Sequence, residues 1–248
     1  MYLNILIKHN LNKALKYTLA ISIFFSITLS SLFGATESLT GSHVISPNLY
    51  LYGLSFYSAF LAYLIYENSI SRNIFLLASN PLLLITGPIP YYFKNISYKS
   101  FTSRINYYFP YLIIGIFFVK VISIPLTHFL WMLELQDILS AIFFAFIFEI
   151  FIYFNFAGLS LIIYSLAGIS GFKIPLNFMQ PFSSNNLIEY WRGWHRSLSF
   201  ILKNLFYKPL RKYGSYVALL TVYISSGLWH GSSINFLIWG FFHALSFI

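Results

Sequence analysis

Apolar residues come in long runs along this chain, separated by short polar connections. The runs fall near 17–35, 49–66, 74–92, 107–124, 138–154, 156–170, 214–229 and 234–248. None shows the strict alternation of a transmembrane barrel strand, and several are shorter than the roughly 20 residues a straight span needs. The pattern predicts helices throughout, with the short runs tilted, re-entrant or broken. Run 74–92 contains S-N-P-L-L-L-I-T-G-P-I-P, with three prolines and a glycine, and is expected to be a broken, re-entrant element. The stretch 181–212 behaves differently. After Pro181, the residues Ser183, Ser184 and Asn185 offer N-cap chemistry, and a 3.6-residue period then runs from Leu187. Leu187, Trp191, Trp194, His195, Leu198 and Leu202 share one face of that predicted helix. Glu189, Arg192, Arg196, Ser199 and Lys203 share the other, and Pro209 is expected to end the segment. A basic amphipathic helix with tryptophan at its apolar edge is suited to a membrane interface.

Composition sharpens the class. The 248 residues are 58% hydrophobic and 8% charged, too greasy for a soluble domain of this size. The expected fold is all-α: a polytopic membrane helical bundle with re-entrant or broken helices and one interfacial amphipathic helix. The formal charge of +9 does not indicate nucleic acid, because the basic residues lie in short loops between apolar runs. That arrangement orients membrane proteins and meets anionic lipid. Lys8, Lys13 and Lys16 put the N-terminus inside as a lead into the first span, Glu37 marks an outside loop, and Arg72 marks an inside one. Lys94, Lys99 and Arg104 mark a further inside loop, as do Arg211 and Lys212. The expected location is a bacterial cytoplasmic membrane, crossed several times. There is no cysteine, so disulfides, thiolate catalysis and cysteine metal sites are excluded.

Soluble-enzyme signatures are missing: no G-x-S-x-G elbow, Walker loop, dinucleotide fingerprint or H-E-x-x-H. Of six acids, only Glu149 lies inside a long apolar run, where a carboxylate either has a functional role or is paired or protonated within the bundle. Three of six histidines, His195, His230 and His243, fall in the last quarter of the chain. Buried imidazole favours its neutral, proton-accepting form and serves as a general base near neutral pH. His230 stands between Trp229 and Gly231, and Ser232, Ser233 and Asn235 follow with hydrogen-bonding groups. The paired G-W-H and L-W-H contexts point to a shared site. A lone structural histidine, or histidine ligation of haem or copper, stays open on the residues alone, although no carboxylate flanks either histidine.

Four blocks in order resemble the membrane-bound O-acyltransferases, in their bacterial branch of alginate and peptidoglycan O-acetyltransferases and D-alanyl transfer proteins. I-T-G-P-I-P-Y-Y-F at 85–93 is similar to that family's G-P-I segment. Residues 152–182 resemble its Y-F-D-F-x-G-Y-S stretch followed by G-F-x-x-P-x-N-F-x-x-P. W-R-G-W-H-R-S-L-S at 191–199 resembles its F-W-x-R-W-H-x-S-L-S block, and G-L-W-H-G at 227–231 its last block. The resemblance runs from about residue 49 to the last residue. It implies one membrane-embedded acyltransferase domain over 1–248, short for the family at its N-terminal side and at its last helix. The chain is then either a compact member or a fragment.

The resemblance also implies roles. His230 matches the family's invariant histidine and would act as general base, with His195 as a second important histidine. Substrate-side candidates are Trp191, Trp194, Asn155, Ser232 and Asn235, the last two as oxyanion donors. The acyl donor would be acetyl-CoA or an acylated carrier protein, with no bound cofactor and no metal. The acceptor would be a hydroxyl of a cell-envelope polysaccharide or lipid-linked polymer, and an extracytoplasmic acyltransferase partner would finish the transfer. Acetyl transfer is the first expectation and D-alanyl transfer toward teichoic acid the alternative. A transporter or scaffold that kept the fold and lost the chemistry is the rival from another class. Its support lies in the departures: Asn155 and Leu161 where the family has acids, Ala157 for serine, Leu159 for tyrosine, and Gly193 where arginine or asparagine is common.

Overall fold

The protein is described by a computed structural model covering residues 2–25, 49–66, 94–95, 99–231 and 233–247. The expected re-entrant run 74–92, the G-P-I block, the loop around Glu37 and Ser232 lie outside the described residues. The elements are α1 (Tyr2–Phe24), α2 (Leu49–Tyr66), β1 (Lys94–Asn95), α3 (Phe101–Phe117), α4 (Ile124–Met132) and α5 (Ile138–Ile169). They continue with β2 (Phe172–Lys173), α6 (Leu187–Gly193), α7 (Arg196–Leu202), α8 (Ser215–His230) and α9 (Ile234–Leu245). Among the described residues the fold is mostly helical, and the β component is one antiparallel two-residue pairing, Lys94 with Lys173 and Asn95 with Phe172. Two compact units emerge. One holds α1, α2, residues 185–189 and residues 197–247; the other holds the described residues of 86–184 and 190–196.

The second unit is built on a helical hairpin. Ser100 caps α3 by accepting the Ser103 N–H at 3.2 Å. The helix then runs to Met132 through a π-helical stretch, Phe118–Ser123, two residues ahead of Pro125. Proline has no N–H and its ring crowds the carbonyl four residues back, and the wider turn absorbs both. Asp137 starts α5 with a reciprocal cap: its carboxylate accepts the Ser140 N–H at 2.7 Å, and Ser140 Oγ accepts the Asp137 N–H at 3.0 Å. Those Ser140 bonds hold the Asp137 carboxyl below the usual carboxylate range.

Each arm, Phe101–Met132 and Ile138–Ile169, has 32 residues and is long and apolar enough to cross a membrane. At 1.5 Å per residue each measures about 48 Å, against roughly 30 Å of hydrocarbon core. Their apolar side chains point outward: Ile138 is 81% exposed and Phe146 63%. That distinguishes them from the core helices of a soluble protein. The arms cross closely at Gly115 and Gly158. A Cβ at Gly115 would meet the Gly158 carbonyl at 2.8 Å, and one at Gly158 would meet Val119 at 2.8 Å. Tyr108 lies against Gly168, and Arg104 caps the far end of α5 by donating to the Ile169 carbonyl at 3.0 Å.

Several sequence expectations are corrected here. Runs 138–154 and 156–170 are one helix, because Asn155, the polar residue between them, donates to Ser123 Oγ at 2.9 Å and needs no break. Run 107–124 extends at both ends, and the first helix begins at Tyr2 rather than near 17. The amphipathic helix from Leu187 is not continuous. It breaks at Trp194–His195, where His195 takes the left-handed conformation with φ 40°. The 3.6-residue face therefore does not carry through, and Leu187 is 51% exposed. Its cap is Asn186, which accepts the Glu189 N–H at 2.9 Å while Glu189 accepts the Asn185 N–H at 3.1 Å.

In the first unit, α1 and α2 pack together and against residues 197–207. Ala20, Phe24, Ala59, Leu64, Ile201 and Leu205 are essentially sealed. Pro209 does not end this helical run, which passes through π-helical Lys203–Tyr207 and continues to Tyr213, where Gly214 with φ 123° turns the chain. The Leu205 carbonyl, four residues before the proline, accepts the Tyr17 hydroxyl at 2.7 Å. The side chain thus supplies the donor that proline lacks and ties α1 to the run.

The glycine crossing gives a direct check. Gly115→Ala and Gly158→Ala should each destabilise the hairpin by about 1–3 kcal/mol, as overpacked interfaces do. Thermal unfolding in detergent micelles measures this, and Ile142→Ala on the exposed face serves as the unaffected control.

Candidate active site

The His195 site is assembled by a backbone clamp inside the second unit. The Met179 N–H donates to the Gly193 carbonyl and the Arg196 N–H to the Asn177 carbonyl, both at 2.9 Å. The segment 177–179 therefore grips the chain on either side of Trp194–His195 and holds the helix break open. Gly193 is required by this grip, since a Cβ there would lie 2.8 Å from the Met179 carbonyl oxygen. The glycine that departs from the family pattern is thus explained by backbone approach. Arg196 reinforces the same turn, its guanidinium reaching Met179 Sδ at 2.7 Å.

His195 is only 4% exposed. Its Nδ1 lies 3.2 Å from Asn177 Oδ1, and a carboxamide oxygen can only accept. The proton therefore sits on Nδ1, and the neutral ring carries its lone pair on Nε2. Phe156 meets the ring edge-to-face at 4.6 Å, and Phe178 stacks at 6.4 Å. Asn177, itself 1% exposed, is the residue that single-residue reading missed. Its signal was the asparagine of the P-x-N-F block at 175–178.

Trp191 and Trp194 belong to an aromatic cluster beside this clamp. Trp194 stacks on Tyr190 at 5.6 Å and packs against Phe178 at 5.2 Å and Tyr153 at 5.9 Å, with Trp191 at 6.5 Å. Tyr190 donates its hydroxyl to Glu149 at 2.9 Å, so the carboxylate of the apolar helix has a phenol as a partner. Burial, and after it the Glu149 charge, raise the Tyr190 pKa and keep the phenol protonated as a donor. Asn155 is engaged between the hairpin arms with Ser123, which is fully buried.

His230 is built in the other unit, as the last residue of α8. His230 is exposed as a residue, yet three rings surround its imidazole: Trp229 at 5.0 Å, Trp239 at 5.7 Å and Phe236 at 6.2 Å. The small residues of S-G-L-W-H-G make that slot. A Cβ at Gly231 would strike the Phe236 ring at 2.5 Å, and one at Gly227 would collide with the Phe236 carbonyl. Ser233 caps α9 by accepting the Asn235 N–H at 3.3 Å, and the Asn235 side chain is exposed. Among the described residues no group of three His, Cys, Asp or Glu side chains could hold a metal ion.

A model of the membrane-bound O-acyltransferase family matches residues 9–248. The chain is 36% identical over 99 residues to a probable alginate O-acetylase of Pseudomonas syringae pv. tomato, covering 38% of this chain and 19% of that protein. It is 33% identical over 100 residues to a peptidoglycan O-acetyltransferase of Helicobacter pylori, with 38% and 19% covered. It is 28% identical over 122 residues to a teichoic acid D-alanyltransferase of Bacillus subtilis, with 44% and 31% covered. The matched stretch therefore spans less than a third of the length of these relatives.

The His195–Asn177 contact is testable by stability alone. Asn177→Leu removes the acceptor and strands a buried N–H, which should cost about 1–3 kcal/mol in thermal unfolding. His195→Phe in the Asn177→Leu background should recover part of that loss, because the pair is then replaced by apolar groups.

Proposed function

The chain belongs to the membrane-bound O-acyltransferase family, and on that premise we propose that it moves an acyl group from a thioester donor to a hydroxyl of a cell-envelope or exported polysaccharide. The acyl group in this reading is acetyl, and the donor is acetyl-CoA or an acylated carrier. The observation that carries the reading is the imidazole of His230 in its three-ring slot, at the position of the G-L-W-H-G block.

The chemistry follows from that imidazole. Its neutral nitrogen takes the proton of the acceptor hydroxyl as the oxygen attacks the thioester carbonyl. The new C–O bond forms, the C–S bond breaks, and the imidazolium returns its proton to the departing sulfur. The oxyanion formed on the way needs donors, for which Asn235, Ser232 and the N–H groups at the start of α9 are the candidates. His195, sealed and held by Asn177, is the second histidine of this reading and would position the donor or help orient His230. The matching architecture is a polytopic bundle crossing a bacterial cytoplasmic membrane several times, with membrane lipids around it. A polymer or lipid-linked acceptor and an extracytoplasmic acyltransferase would be its partners.

D-alanyl transfer toward teichoic acid is the second reading. It is favoured by the similarity to the Bacillus subtilis D-alanyltransferase, which covers 44% of the chain against 38% for the O-acetylases above.

Ester-linked acyl groups released by mild alkali from envelope polymer decide between the two. Cells with the wild-type chain should yield acetate, whereas D-alanine would establish the second reading. His230→Ala should lower transfer by about 100-fold or more, as loss of a general base does, while the protein still accumulates in the membrane. Unchanged O-acylation by that variant would sink the assignment. His195→Ala should reduce transfer more than it reduces accumulation, and failure to accumulate would make His195 structural.

A further inference from the structure

We propose that Trp239 and His243 are positioning residues for His230, forming with it an imidazole–indole–imidazole series of ring contacts on the α8–α9 hairpin. This rests on the reading of His230 as the base. His243 lies one turn after Trp239 on α9, and its Nδ1 is 2.7 Å from the Trp239 carbonyl oxygen. A carbonyl only accepts, so His243 carries a proton on Nδ1 in either charge state and its ring is pinned to its own helix. The pinned ring lies against the Trp239 indole with centroids 4.1 Å apart, and the Tyr223 ring of α8 stacks on its neighbour side at 6.3 Å. The indole meets His230 edge-to-face, at 5.7 Å and 81°.

The backbone gives this series no slack. A Cβ at Gly240 would come within 2.5 Å of the Tyr223 carbonyl, and Gly227 lies equally tight under the Phe236 carbonyl. Helix α9 therefore cannot slide along α8, and the position of the indole is decided by its rotamer. His243 packs against that indole at 4.1 Å and His230 meets it at 5.7 Å, so a change of rotamer would be felt by both rings. The indole does not titrate and cannot hand a proton from one imidazole to the other, so the coupling acts through packing. A base must hold its nitrogen within hydrogen-bond reach of the hydroxyl it deprotonates, and small misplacements are expensive in rate. An indole free to turn would let the His230 ring turn with it.

Two measurements on the full chain in membranes test this. The first is acyl transfer per folded protein: His243→Ala should lower kcat about 10-fold with KM unchanged, and His243→Phe, which keeps a ring against the indole, should restore most of that loss. The second needs no transfer activity: the rate at which diethylpyrocarbonate modifies His230, followed by peptide mass spectrometry. That rate should change at least threefold in His243→Ala and in Trp239→Leu, and return toward the wild-type rate in His243→Phe. A His243→Phe variant as impaired as His243→Ala in both measurements would overturn the proposal, as would a His243→Ala variant with wild-type kcat and His230 reactivity. A wild-type chain without transfer would instead remove the base reading, and the modification rates would still decide whether the series positions His230.

Discussion

A helix surrounded by lipid has no water to satisfy its backbone, so every carbonyl that loses its donor must find another within the protein. This constraint shapes both units. Pro125 and Pro209 each remove an N–H from a long helical run, and each is preceded by a widened π turn rather than a break. At Pro209 the remaining carbonyl, Leu205, is satisfied by Tyr17 from the N-terminal helix. At His195 the helix does break, and the freed groups are taken by the Asn177 carbonyl and the Met179 N–H. The left-handed conformation of His195, which disfavours any side chain with a Cβ, persists because bonds on both sides hold it. The geometry at His195 is thus one solution to the same backbone accounting that lets proline sit in the long helical runs.

Side-chain chemistry follows a parallel rule. Ions are scarce, and polar groups of the helical hairpin have neutral partners: Asn155 meets Ser123 between the arms, and the exposed Glu149 meets Tyr190 of α6. A neutral donor stabilises a carboxylate without requiring a second desolvated charge, which would bring its own penalty. Much of the remaining cohesion is aromatic, in edge-to-face and offset rings that add roughly 0.5–1.5 kcal/mol per pair beyond the area they bury. The cluster of Tyr153, Phe178, Tyr190 and Trp194 fixes the helix break from the side, as the backbone clamp fixes it from within.

The apolar pattern made the helices legible where composition alone sets an element. Run 49–66 is α2 to the residue, and the last helix begins at 234 as expected. It failed where a tertiary partner decides. Asn155 looked like a boundary because its partner, Ser123, is 32 residues away in sequence. The amphipathic period from Leu187 looked continuous because nothing in 187–203 announces that the 177–179 segment will seize the chain at His195. Site chemistry was legible in the same measure. The two tryptophan-flanked histidines are visible in the sequence, whereas Asn177 as a partner and the His243–Trp239 brace depend on contacts that only folding creates.

Those contacts separate the two histidines. His195 has its Nδ1 occupied, its ring held between Phe156 and Phe178, and almost no accessible surface. Such a ring holds one geometry well and cannot be approached by a bulky polymer hydroxyl without opening its surroundings. His230 has a different character: its ring is confined by three aromatic walls, on a residue that is exposed at a helix end. Confinement limits the directions in which its nitrogen can point, and the exposure of the residue would let the proposed acceptor approach. A general base for a large acceptor requires both properties together. For that reason the proposed base is His230 and His195 is proposed only in a supporting role, on environment as well as on position within the family pattern.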